Sequence, residues 1–278
     1  MRHGPRHELR LLILRGPRGE GKTLAVFWAC AALAERVAQE TGALPLEIAI
    51  VRDTYTNLER TVLKTFEEID RDWAVPIRWQ NARHEAIVGD PPTMHFSFFG
   101  LDRPEDADKL QGFVCGVLVL EEVAPAAGIA SGIPASVLGI GATSVRQAGV
   151  PPRILVPMNP PDKNHWILRV EEHLAEAGLR GVTVQHFVIP QGEKAIHFRA
   201  LAAMGYGEEW LEAATAFEAY RERNRAFLES IGRHDLAARL VGGEIGEVRL
   251  GTAVVPNFSR LLHVAKGPLQ IVRGLQVI

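Results

Sequence analysis

Unbroken apolar runs alternate along this chain with longer stretches of helical period, the pattern of a parallel sheet covered by helices. The first run, LRLLILR at 9–15, leads into KTLAVFWACAALAERVAQE, which meets no glycine or proline until Gly42 and predicts a helix. LEIAIVR (46–52) predicts a second strand, and NLERTVLKTFEEIDRDW (57–73) an amphipathic helix. EAIVG and TMHFSFFG, divided by DPP, suggest a small hairpin. GVLVLEEVAP (116–125), PRILVPMNP (152–160) and TVQHFVIP (183–190) supply further strands. Beyond Pro190 the pattern turns helical, in EEWLEAATAFEAYRERNRAFLES (208–230) and HDLAARLVGG (234–243). The expected fold is α/β, a mostly parallel sheet with helices on both faces and a small helical satellite hinged through IPQGEK (189–194). There is no internal repeat and no low-complexity tract.

Composition narrows the classes. With 278 residues, 47 % apolar and 23 % charged, the chain has the makeup of a soluble globular protein, one large domain or a core with an appendage. A net charge of −2 carries no bulk basic surplus of the kind that marks a nucleic-acid binder. The longest apolar run of the first helix, Leu24 to Ala34, is too short to span a bilayer, and no charged-then-apolar leader opens the chain, so no membrane partner is expected. Cys30 and Cys115 lie far apart in apolar stretches, without metal-ligand spacing, and read as buried free thiols in a reducing compartment. Arg221, Arg223 and Arg225 interleave with Glu222 and read as a solvated helix face in preference to a DNA contact.

The chemistry is announced by GPRGEGKT, which matches G-x-x-x-x-G-K-[ST] at Gly16, Gly21, Lys22 and Thr23 and sits between a predicted strand and a predicted helix. Such a loop turns backbone N–H groups onto phosphate oxygens, and the helix N-terminus adds its partial positive charge. The expected phosphate contacts are Gly16, Pro17, Arg18, Gly19, Glu20, Gly21, Lys22 and Thr23, with Lys22 on the β- and γ-phosphates and the Thr23 hydroxyl on Mg²⁺. A second carboxylate-bearing strand is required, and VLVLEE supplies it. Glu121 would hold Mg²⁺ and Glu122 would polarise the attacking water, favouring ATP hydrolysis over phosphoryl transfer. The expected ligands are thus ATP and Mg²⁺, on a P-loop NTPase core.

GPRGEGKT, VRDTYTNLERTV, FGLDRPEDADKLQG, VLVLEE, TSVRQAG, MNPPDKNHW and GTAVVPNFSRLLHVA, in this order from about residue 11 to the end, resemble the large terminase subunit of tailed double-stranded DNA phages. That family's members are ATP-driven packaging motors with an N-terminal ATPase of the ASCE type and a C-terminal nuclease. The resemblance implies an ATPase core at 1–190, a helical lid at 191–255, and at 256–278 a linker and the start of a nuclease domain whose metal-binding aspartates are absent from this sequence. It assigns Arg18 as the loop arginine that contacts the γ-phosphate, Glu121 as the metal-holding carboxylate where most relatives have aspartate, and Glu122 as the catalytic glutamate. Asn159 becomes the γ-phosphate sensor, although Pro157 and Met158 stand where many relatives carry a hydroxyl residue. It implies double-stranded DNA, a portal protein and a small terminase subunit as partners, a ring on the portal with a monomer in isolation, and the host cytoplasm as location. Lys109, Arg103 and Arg146 are the candidates for a cation entering a neighbour's site, and His3, Arg6 and Arg52 for contacts to the base. A helicase-like DNA-stimulated ATPase and a non-hydrolysing nucleotide-gated module are the alternative classes; the first needs a second motor domain, and Glu122 argues against the second.

Overall fold

The unbroken apolar runs become strands, buried on both faces in the centre of the sheet and largely exposed in the edge strand at 183–188. A computed structural model of the chain describes residues 8–246, apart from 73–74, 81, 83, 102–103, 125–131, 177 and 179–180. The described residues fall in the unit Met1–Val248; the second unit, Arg249–Ile278, and with it the predicted linker at 256–278, lies outside them. Eight strands form one sheet: β1 (Arg10–Arg15), β2 (Leu46–Arg52), β3 (Ile77–Gln80), β4 (Glu85–Val88), β5 (Met94–Gly100), β6 (Val117–Leu120), β7 (Arg153–Met158) and β8 (Thr183–Val188). Their order is β3-β4-β5-β2-β6-β7-β1-β8, parallel from β5 to β8, with β3 and β4 antiparallel at one edge.

The pleat of β6 sends Val117 and Val119 to one face and Leu118 and Leu120 to the other, so this central strand feeds both cores. The first core lies under α1 (Lys22–Glu40) and the stretch formed by α2 (Tyr55–Leu58), a π-helical turn at Glu59–Leu63, and α3 (Lys64–Asp72). Phe27 stacks on Phe96 at 5.8 Å, and Phe66 meets Phe96 edge-on at 4.8 Å. The second core lies under α4 (Ala135–Ser144) and α5 (Val170–Glu176). Helices therefore cover both faces, as the hydrophobic pattern predicts. Cys30 and Cys115 are buried free thiols, each pushed up to about 12 by burial.

The satellite after β8 consists of α6 (Glu193–Ala203), α7 (Glu209–Ser230), α8 (His234–Leu236) and a π-helical turn at Ala237–Val241. Its long helices are thinly buried, Ala195 being the buried residue of α6 and Ala214 and Arg221 those of α7, whereas the turn buries Ala237, Arg239, Leu240 and Val241, and Arg239 donates to Pro160 O at 2.9 Å. Arg221 therefore departs from the expected solvated helix face. Its aliphatic stem packs inward because its guanidinium has a buried carboxylate to face, described below. Among the described residues no helix is long and apolar enough to cross a membrane.

Candidate active site

Parallel strands end on the same edge of a sheet, and the strand order sets β7 between β1 and β6. The loop after β1, the tip of β7 and the tip of β6 thus converge. Gly21 takes φ +81°, a left-handed conformation that glycine adopts without strain, and α1 starts at the next residue. Lys22 is buried, and its ammonium donates to Gly16 O (3.0 Å), Pro17 O (2.6 Å) and Asn159 Oδ1 (3.0 Å). Asn159 in turn donates through Nδ2 to Glu122 Oε2 at 2.9 Å. Beside this relay, Thr23 Oγ1 donates to Glu121 Oε1 at 2.7 Å. Side chains from three strand ends are thereby held at one place.

The cluster concentrates charge where there is little water. Glu121 is buried, and burial pushes its carboxyl up to about 7, with the neighbouring Glu122 charge adding to the rise; Thr23, Arg52 and Lys22 oppose it. Burial also raises Glu122, against the pull of Lys22 and Arg52. Lys22 is lowered by burial, a shift opposed by Glu122, Glu121 and Glu20. The shifts share one cause: burial disfavours the charged form of the acids and of the lysine alike. Glu122 also holds φ +56°, an uncommon conformation for a non-glycine residue, fixed by its N–H donating to Pro157 O at 3.0 Å. This kink is what turns its carboxylate toward Asn159.

Magnesium fits the donor set at the end of β6. Thr23 and Glu121 offer hard oxygens 2.7 Å apart, and Arg52 Nη1 lies 3.8 Å from Glu121 Oε1. One hydroxyl and one carboxylate suit an ion that completes its shell with water and substrate phosphates. No group of three or more His, Cys, Asp or Glu able to hold a metal by itself occurs among the described residues.

A cleft of about 940 Å³ opens over the loop, between Trp28 of α1 with Thr61 and Thr65 on one side and Lys194, Phe198 and Trp210 of the satellite on the other. Arg18, Gly19, Glu20, Gly21, Lys22, Thr23, Glu121, Glu122 and Asn159 all line it. Arg18 is exposed, its N–H donates to Leu240 O at 2.8 Å, and it also borders a smaller groove beside α7. Arg52, a candidate base contact on the sequence alone, lies instead at the carboxylate end, next to Glu121; the register pairs Val51 with Leu120, so the following residues emerge side by side. The β2–β6 pairing that places it there is a tertiary contact, with no local signal in the sequence. Lys109 pairs with Asp106 at 2.7 Å, and Arg146 donates to Thr143 O at 2.8 Å; neither lines the cleft. His3, Arg6 and Arg103 lie outside the described residues.

No protein-family model and no curated protein matches the chain. Solved structures of phage large terminases match it. The large terminase of a thermophilic bacteriophage, in complex with ADP, is similar at 16 % identity and a TM-score of 0.45 over 68 % of this chain and 44 % of that one. The HK97 large terminase aligns at 11 % identity and a TM-score of 0.41, covering 84 % and 46 %. The ATPase domain of the Thermus phage P74-26 large terminase aligns at 16 % identity and a TM-score of 0.36, covering 75 % and 87 %. The chain thus spans under half the length of the first two of these proteins.

Proposed function

We propose that this chain is the ATP-hydrolysing motor portion of a phage large terminase, which drives double-stranded DNA into a procapsid. The observation that carries the reading is the relay from Lys22 through Asn159 to Glu122, set beside the Thr23–Glu121 pair. The ordered motif set of the sequence supports the same family.

In the proposed reaction, the loop amides and Lys22 bind the β- and γ-phosphates, and Lys22 exchanges its carbonyl partners for phosphate oxygens. Thr23 and Glu121 would hold Mg²⁺, which when bound neutralises charge on those phosphates. Glu122, raised by burial and held through Oε2 by Asn159, orients a water toward the γ-phosphorus and takes its proton as the new O–P bond forms. The bond to the β–γ bridging oxygen breaks, ADP leaves with that electron pair, and the proton passes from Glu122 to phosphate. Arg18 and Arg52 flank the site and offset charge on the transferring group. Asn159, touching both the lysine and the base, changes partners when the γ-phosphate is lost and passes that change to the satellite acting as a lid. Double-stranded DNA, the portal protein and the small terminase subunit are the proposed partners, in a ring assembled in the host cytoplasm.

Phosphate release measured with and without double-stranded DNA tests the reading. Glu122→Gln should keep ATP binding and lose at least ~10²-fold in turnover, whereas Lys22→Ala should weaken binding as well. Binding without turnover in the native sequence would sink the hydrolase assignment in favour of a nucleotide-gated module. Wild-type turnover in Glu122→Gln would remove Glu122 from the chemistry.

A further inference from the structure

Glu20 is the loop residue whose side chain turns away from the cleft's phosphate end and into the satellite. Its side chain is fully buried, and its two oxygens divide between two backbone donors: Oε1 accepts from Gly192 N–H and Oε2 from Lys194 N–H, each at 2.9 Å. These amides belong to the start of α6. Gly192 is the N-cap residue of that helix and offers no side-chain cap of its own. An α-helix leaves its first amides without intrahelical partners, so here a residue 172 positions earlier in the chain supplies the missing acceptor. The same carboxylate faces Arg221 of α7: Nε lies 3.7 Å from Oε1, is buried, and makes no hydrogen bond. Arg221 is further boxed in by the Phe217 ring at 5.8 Å, and by the Gln191 amide oxygen when that amide is turned toward it. One carboxylate therefore fastens both long helices of the satellite, and its own backbone is part of the loop immediately before Gly21.

We propose that Glu20 is a positioning residue that makes loop conformation and satellite orientation a single equilibrium, so that a nucleotide held by the loop also holds the N-terminus of α6. The proposal rests on the nucleotide-binding reading above and goes beyond it by naming the connection. Other polar bonds from the loop to the satellite are fewer: Arg18 N–H to Leu240 O is the backbone one among the described residues. The turn Ala237–Val241 anchors the far end of the satellite through buried Arg239 and Pro160 O, but α6 buries only Ala195, so at its N-terminus the Glu20 bonds are the main polar tie to the loop. Because the coupling is a free energy shared by two sites, it runs both ways: ligand at the loop protects α6, and damage on the satellite side weakens ligand binding.

The test uses the full chain with ATP-γ-S and Mg²⁺. Amide hydrogen exchange at Gly192 and Lys194 should slow when the nucleotide binds. Arg221→Ala, which alters no group that meets the nucleotide, should weaken ATP-γ-S affinity by roughly fivefold or more, the scale of ordinary site-to-site coupling. Glu20→Gln keeps one acceptor oxygen and the side-chain shape and guards against a Glu20→Ala protein that fails to fold. It should weaken affinity, and Arg221→Ala should then add little in the Glu20→Gln background. Unchanged exchange on nucleotide binding, native affinity in Arg221→Ala, or effects of the two substitutions that simply multiply would each overturn the connection while leaving nucleotide binding in place. Failure of the native chain to bind ATP-γ-S at all would overturn both readings. Exchange in the ligand-free protein would then still show whether Glu20 caps α6.

Discussion

Replacing Glu121 by glutamine should stabilise the ligand-free protein above neutral pH, although it removes a charged residue from the site. The native carboxyl releases its proton near 7, while in the unfolded chain it does so near its ordinary 4.5. Between those values the native state binds more protons than the unfolded one, so stability falls as pH rises. The contribution is fully present below about 4.5 and is lost by the time pH passes about 7. At about 1.36 kcal/mol per pH unit, this gap corresponds to roughly 3 kcal/mol of strain at pH 8. For a folded unit of this size that is on the order of 6–12 °C in Tm, reduced by the Arg52 attraction that glutamine forfeits. The Thr23 hydroxyl still finds an acceptor in the glutamine oxygen, so its hydrogen bond survives. Thermal unfolding followed by circular dichroism from pH 5 to pH 9, without nucleotide, reads the effect. Native protein and Glu121→Gln should melt close together at pH 5 and separate toward pH 8, with the variant higher. Glu122, also raised by burial, leaves the variant some residual slope. Adding magnesium and ATP-γ-S should lift the native protein at pH 8 more than the variant, because a cation relieves the same charge. If Glu121→Gln melts below the native protein at pH 8 with an unchanged pH slope, the buried charge is already compensated and the argument fails.

Asn159→Ala should hold nucleotide affinity within about fivefold while turnover drops by ~10² or more, since Lys22 keeps its loop contacts but Glu122 loses the bond that aims it. Equilibrium binding against phosphate release separates the two effects, and an equal loss in both would make Asn159 a ground-state contact. Gly100→Ala would place a Cβ 2.3 Å from the Tyr55 nitrogen, backbone against backbone where α2 starts. It should cost about 1–3 kcal/mol by urea unfolding, and a native midpoint would mean that the α2 segment yields freely.

The sequence carried the sheet well because its central strands are buried on both faces and have few interruptions. β1, β2, β6, β7 and β8 lie within their predicted runs, and α1 matches its prediction at both ends. β3 escaped because IRWQ alternates polar and apolar residues over only four positions. α6 escaped because its faces are mixed, with Ala195 its one buried residue, so no apolar stripe marks it. α4 is nearly uniform in polarity and holds glycines within it, which hides its period. The loop lysine, threonine, paired glutamates and Asn159 were legible because local spacing and strand ends place them. Arg52 and the contacts of Glu20 were not, since each depends on a neighbour brought close by tertiary structure. Arg221 was misread for the same reason: alternating charge describes a helix surface only until a buried carboxylate claims one of its members.

Lys22 has three protons to give, and in this structure all three are given to the protein itself, to two loop carbonyls and to Asn159. A newcomer must outbid oxygen atoms already in place. A small, singly or doubly charged anion gains little by that exchange, because it displaces good partners and brings few contacts of its own. A polyphosphate chain can take the lysine and engage the loop amides at once, so it crosses the threshold that a stray phosphate or carboxylate does not. On the proposed function, the self-occupied lysine would act as a filter against the common anions of a cell. It would keep the site from idling on the wrong ligand and preserve it for one long enough to reach Asn159.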